Sequence, residues 1–133
     1  SLNLDFLFID THPGLSKETF LSMAIAHMVI LVLRPDKQDY QGTAVTLDVT
    51  RQLRVRNVSL VVNKVHRGLD FTELRSKVEQ TYGVPVAGVF PLSEDVARLA
   101  STRVFCMQHP DHPITRELEE VASGLLATSP ATP

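Results

Sequence analysis

Four short apolar runs, residues 4–9, 27–33, 58–62 and 86–90, alternate along the 133-residue chain with stretches whose apolar residues recur at helical spacing. That alternation restricts the fold more than any other feature, because strands joined by helical crossovers lie parallel and need helices on both faces of their sheet. The expected class is therefore α/β, a three-layer sandwich around a parallel sheet, with four strands and five helices. Ser16 is placed to cap a helix reaching about Ala26. The stretch from about Gln38 to Arg54 sets Tyr40, Ala44 and Leu47 beside Val45, Val49 and Leu53 as one sheet-facing surface. Asp70 and Glu73 resemble a capping box, and Phe71, Leu74, Val78 and Tyr82 recur before Gly83 ends that helix. Ser93 is expected to cap a short helix with Val96, Leu99 and Ala100 inside, and Pro113 to start the last one, with Ile114, Leu118, Val121 and Leu125 inward.

Three of the runs end in polar or turn residues. Residues 4–9 lead into Asp10-Thr11-His12-Pro13-Gly14, residues 58–62 into Asn63-Lys64, and residues 86–90 into Pro91-Leu92-Ser93. Open α/β sheets bind ligands at the carboxyl ends of their strands, where an aspartate can hold a Mg²⁺-bound water and a glycine lets the backbone approach a phosphate. The same residues also make good turns: Asn63 can bond its own turn, and Ser93 can do no more than cap a helix. No Gly-x-x-x-x-Gly-Lys-Ser/Thr loop occurs, and no glycine is followed by lysine.

Phe6-Leu7-Phe8-Ile9-Asp10-Thr11-His12-Pro13-Gly14 is similar to the Walker B strand and switch II of ParA/MinD-type P-loop ATPases, the deviant-Walker group of the SIMIBI class, where Asp-Thr-Pro-Pro-Gly is usual. Leu31-Val32-Leu33-Arg34-Pro35, Leu60-Val61-Val62-Asn63-Lys64-Val65 and Gly83-Val84-Pro85-Val86-Ala87-Gly88-Val89-Phe90-Pro91 resemble the strand segments that follow in that family, in the same order. His12 stands where the family has proline; Asp10, Pro13 and Gly14 are kept. The resemblance covers residues 1–127, read as one partial P-loop NTPase domain, with 128–133 as a frayed tail. The family's N-terminal strand, its Lys-Gly-Gly-x-Gly-Lys-Thr loop and its switch I aspartate have no counterpart in these residues.

The resemblance implies the C-terminal portion of an ATPase that binds ATP or ADP with Mg²⁺ and acts in chromosome or plasmid partitioning or in positioning cellular structures. It implies that Asp10 orients Mg²⁺ through a water, that Gly14 senses the γ-phosphate, and that Pro13 belongs to the same loop. Asn63 would read the adenine edge beside a solvated Lys64, and backbone groups of Pro91, Leu92 and Ser93 would form the other wall. A cytoplasmic homodimer is implied, with room for an adaptor protein that activates hydrolysis; DNA or membrane contact stays open. Hydrolysis in the family also needs the P-loop lysine and a facing subunit, so the chain alone is expected to be inactive. An alternative of another class is a non-catalytic receiver-like signalling or binding module, in which Asp10 accepts phosphate and Lys64 contacts it. Receivers carry an acidic pair on an earlier strand, and only Ser1, Leu2 and Asn3 precede Leu4.

A net charge of −2 and a pI near 6.2 argue against strong generic attraction to nucleic acid or acidic lipid. One cysteine, Cys106, excludes an internal disulfide and fits a reducing compartment. No apolar run approaches the roughly 20 residues that span a bilayer. Arg34-Pro35-Asp36-Lys37 reads as a solvated loop, and His109-Pro110-Asp111-His112-Pro113 as a stiff structural stretch despite its metal-ligating residue types. In the family the P-loop strand lies between the Walker B strand and the strand matched by residues 26–33. The run 4–9 is accordingly expected to close the gap or to pair with another copy, and a first strand free in solvent would count against this reading.

Overall fold

The computed structural model describes residues 3–128. Side-chain caps set the helix starts that the sequence marks: Ser16, Asp70 and Ser93 each accept the backbone N–H three residues on, beginning α1 (Lys17–Ile25), α3 (Phe71–Tyr82) and α4 (Glu94–Leu99). Asp36 does the same for α2 (Lys37–Gln52). Gly83 ends α3 in the left-handed conformation, at φ 65°, as a helix-stopping glycine does. A four-residue helix that the sequence reading missed, α5 (Phe105–Gln108), precedes α6 (Pro113–Thr128).

Three strands form one parallel sheet in the order β1 (Met28–Leu33), β2 (Asn57–Val65), β3 (Val86–Pro91). On one face Leu33, Leu47, Leu60, Val62, Val65, Val78, Val86 and Val89 form the main core with α2 and α3. On the other, Val61, Phe90 and Ile114 pack with Phe105 and Val121 of α5 and α6. The arrangement is the expected three layers. At Gly88 the sheet comes close to α6, since a Cβ there would lie 2.6 Å from Val121 Cγ2 and 2.9 Å from Phe90 Cε2.

Several expectations need correction. Residues 4–9 form no strand: the segment has no ladder partner among the described residues, and Leu4, Phe6, Leu7, Phe8 and Ile9 are 47–80% exposed. A strand exists only with a neighbour to bond, and none is present among the described residues; the exposed run does not close the gap, which is the outcome set against that expectation. The described chain thus has three strands and six helices, not four and five. In α2 the buried residues are Thr43, Leu47 and Thr50, while Ala44 and Val45 are exposed. Thr50 hides its hydroxyl by donating to the Leu47 carbonyl, 2.8 Å away, which lets a threonine sit where only apolar residues were sought. Val96 and Ala100 of the α4 region and Leu118 of α6 are also exposed. Thr128 closes α6, and residues 129–133, the rest of the expected tail, lie outside the described residues.

Candidate functional site

The carboxyl ends of the strands converge on one rim, and there the β2–β3 ladder breaks. Val62 pairs with Val89 and Val65 with Pro91, so Asn63 and Lys64 are bulged out of register. Lys64 takes a positive φ of 56°, uncommon for a residue with a side chain. The Lys64 N–H donates to Asn63 Oδ1 at 2.8 Å, and beyond the bulge Leu92 N–H donates to the Val65 carbonyl at 2.8 Å. Bulges at strand ends re-aim side chains, and this one lies at the rim and holds an amide and an ammonium side chain. The local turn bond allowed for Asn63 is therefore present; it uses one lone pair of Oδ1 and leaves the other, together with both Nδ2 hydrogens, for a ligand.

Pro91 ends β3, Leu92 is exposed, and Ser93 is buried with its hydroxyl accepting from Val96 N–H at 3.4 Å. The structure thus groups Asn63, Lys64, Pro91, Leu92 and Ser93 on one rim. It does not deliver Asp10, Pro13 and Gly14 there on a strand. These three lie in the unpaired segment, exposed, and no hydrogen bond or ion pair among the described residues joins them to the rim. The loop is tied only weakly to α1, through Thr19 Oγ1 donating to the His12 carbonyl at 3.5 Å. Gly14 has φ +93°, a conformation that glycine alone adopts without strain.

At the end of β1 the expected solvated loop carries an ordered ion pair. Arg34 donates from its backbone N–H, Nε and Nη2 to the Asp39 carboxylate at 2.8, 3.0 and 3.1 Å. The Arg34 side-chain bonds, then its backbone bond, hold the Asp39 carboxyl below the usual carboxylate range, and the guanidinium is shifted up in turn. The surface is exposed, yet its geometry is fixed. A signal was available: an arginine closing an apolar strand, with an aspartate two residues on to cap the next helix and another in its first turn. At the far side, Phe105 lies against His109 and His112 at ring separations of 4.8 and 5.0 Å, and His112 Nδ1 accepts from Ile114 N–H at 3.1 Å, a structural role for that stretch. Among the described residues no group of three or more His, Cys, Asp or Glu could hold a metal ion.

No family model matches the chain. Over 125 residues it is 28% identical to the uncharacterized ATP-binding protein MJ0547 of Methanocaldococcus jannaschii, which spans 92% of this chain and 47% of that protein. Among solved structures, the MinD cell division protein of Aquifex aeolicus superposes with a TM-score of 0.72 at 14% identity, over 89% of this chain and 51% of that one. A chain of the Aquifex aeolicus MinC:MinD cell division protein complex superposes with a TM-score of 0.71 at 12% identity, over 90% of this chain and 50% of that one. The fold is that of a MinD-like P-loop NTPase, and the chain spans about half the length of the proteins it matches.

Proposed function

We propose that the chain is the C-terminal portion of a ParA/MinD-type ATPase that binds ATP with Mg²⁺ and acts in chromosome or plasmid partitioning or in positioning cellular structures. The observation that carries this reading is the rim, where Asn63 and Lys64 leave the β2–β3 ladder beside Pro91, Leu92 and Ser93 on a MinD-like sheet. Similarity to an ATP-binding protein along 92% of the chain supports a nucleotide as the ligand class.

The residues act as follows. Asn63 offers a free lone pair and two N–H donors, the complement of adenine's exocyclic amine and a neighbouring ring nitrogen. Pro91, Leu92 and Ser93 wall the base, and Lys64 stays a solvated neighbour. Asp10 is an exposed carboxylate with no hydrogen bond or ion pair among the described residues, which fits a single outer-sphere contact to Mg²⁺ through water. When bound, Mg²⁺ supplies charge neutralisation at the phosphates. Gly14 brings backbone close to the γ-phosphate without a Cβ in the way. Turnover belongs to the chain together with polypeptide carrying the phosphate loop, in a cytoplasmic homodimer whose hydrolysis an adaptor protein activates. No helix among the described residues is long and apolar enough to cross a membrane.

In a protein that joins this chain to a phosphate loop, Asp10→Ala is expected to abolish turnover; normal hydrolysis by that variant rejects the assignment of Asp10. Treating the chain with acetyl phosphate separates the reading from a receiver-like module, since stable phosphorylation of Asp10 would place it in that second class.

A further inference from the structure

Past the bulge, on the same rim, stands His66, an exposed residue. The β2–β3 ladder holds as far as Val65 opposite Pro91, and Leu92 N–H donates to the Val65 carbonyl at 2.8 Å. The backbone nitrogen of His66 is joined to that carbonyl, so His66 sits next to Leu92, on the far side of the bulge from Asn63. The Cα atoms of Asn63 and His66 can be no more than about 11 Å apart along the chain, a span that a purine with a hydrogen bond at each end fills.

The imidazole is pinned although it is exposed. Gly68 N–H donates to His66 Nδ1 at 3.1 Å, and Leu69 N–H donates to the His66 carbonyl at 3.0 Å, so ring and backbone together close the turn that leads into α3. The ring lies against Gly68, where an added Cβ would come within 3.2 Å of Nδ1. A ring nitrogen that accepts a hydrogen bond cannot carry the hydrogen, so in the neutral imidazole the hydrogen is on Nε2. His66 thus offers a donor, fixed in one tautomer, that has no partner among the described residues.

We infer that His66 is a second reader of the base and that its Nε2–H donates to adenine N1. This contact rests on the nucleotide reading of the rim and adds a specificity-determining residue to it. A side-chain amide spans adenine's exocyclic amine and N7, accepting from the one and donating to the other, which uses the groups that Asn63 has free. N1, on the other side of the amine, is an acceptor left without a donor, and His66 supplies a donor and nothing else. Guanine carries a hydrogen on N1, so there the fixed Nε2–H would meet another donor, at the cost of an unpaired polar group on each side.

The test is an NMR titration of the ¹⁵N-labelled whole chain with adenosine and with 1-deazaadenosine, in which C–H replaces N1, at about pH 8, where a free imidazole is neutral. Uncharged nucleosides keep charge differences between variants out of the comparison. Adenosine should move the Asn63 side-chain amide and the His66 Nε2 signal together. The 1-deaza analogue should still move Asn63 but bind about three- to tenfold more weakly, the loss of one hydrogen bond. His66→Asp keeps an acceptor for Gly68 N–H and removes the donor, so it should weaken adenosine by about the same factor and bind the two nucleosides alike. A His66 Nε2 signal that stays still while Asn63 moves, or a His66→Asp chain that prefers adenosine as strongly as the parent does, would overturn the assignment of His66 alone. Adenosine that moves no signal on the rim would overturn it together with the nucleotide reading. The parent's His66 signal decides between these outcomes even where His66→Asp does not fold.

Discussion

Asn63 carries one observed role and one proposed role, and one substitution can separate them. Its Oδ1 accepts the Lys64 N–H and so supports the bulge. Asn63→Asp keeps that acceptor but removes the Nδ2 donors, so stability should change by less than about 1 kcal/mol while contact with an adenine base is lost; Asn63→Ala should cost about 0.5–1.5 kcal/mol in stability as well. Urea unfolding of the pair checks this, and equal destabilisation by both variants would contradict it. Asp39 offers a pH test. Its carboxyl is lowered by bonds from Arg34, so the clamp is in place above the ordinary aspartate pKa and is lost as pH falls through the lowered value. An NMR titration should put the Asp39 midpoint below that of an ordinary aspartate, and Arg34→Ala should return it toward the ordinary value. A midpoint unmoved by Arg34→Ala would show that the guanidinium is not its cause.

Elements were legible in the sequence where their determinants are local. Ser16, Asp70 and Ser93 announce helix starts through bonds to residues three positions away, and Gly83 announces a stop through its own φ. The interior face of α2 was misplaced because Thr43 and Thr50 are buried, and burial of Thr50 rests on a bond within the helix that no apolar pattern reveals. Residues 4–9 have the composition of a strand, yet pairing depends on a partner far away in sequence or on another molecule. The bond from Val89 N–H to Glu117 at the β3 edge was equally invisible, because it reaches across 28 positions. Of the residues proposed for the site, Asn63, Lys64, Pro91, Leu92 and Ser93 were legible as strand ends, while the Arg34–Asp39 clamp passed for ordinary surface charge. At this scale Gly88 is the sharpest constraint. Gly88→Ala would drive a Cβ into the stiff, β-branched Val121, and should cost about 1–3 kcal/mol by forcing α6 off β3. Thermal unfolding reads the effect, and an unchanged midpoint would mean that α6 is not seated on β3 as described.

At the scale of the whole chain, the rim of the sheet is proposed to take one end of a nucleotide, and the other end is left to polypeptide carrying a phosphate loop. Backbone N–H groups of a glycine-rich loop supply most phosphate recognition, and neither that loop nor its lysine is among the 133 residues. Affinity for ATP should therefore rest on the base alone. The most direct test is titration of the ¹⁵N-labelled chain with Mg-ATP, followed by the Asn63 side-chain amide and the backbone amides of Lys64, Leu92 and Ser93. These signals should move together, with an apparent Kd of about 1 mM or weaker, no hydrolysis, and no movement at matched GTP. Micromolar affinity, or saturable shifts confined to residues away from this rim, would contradict it.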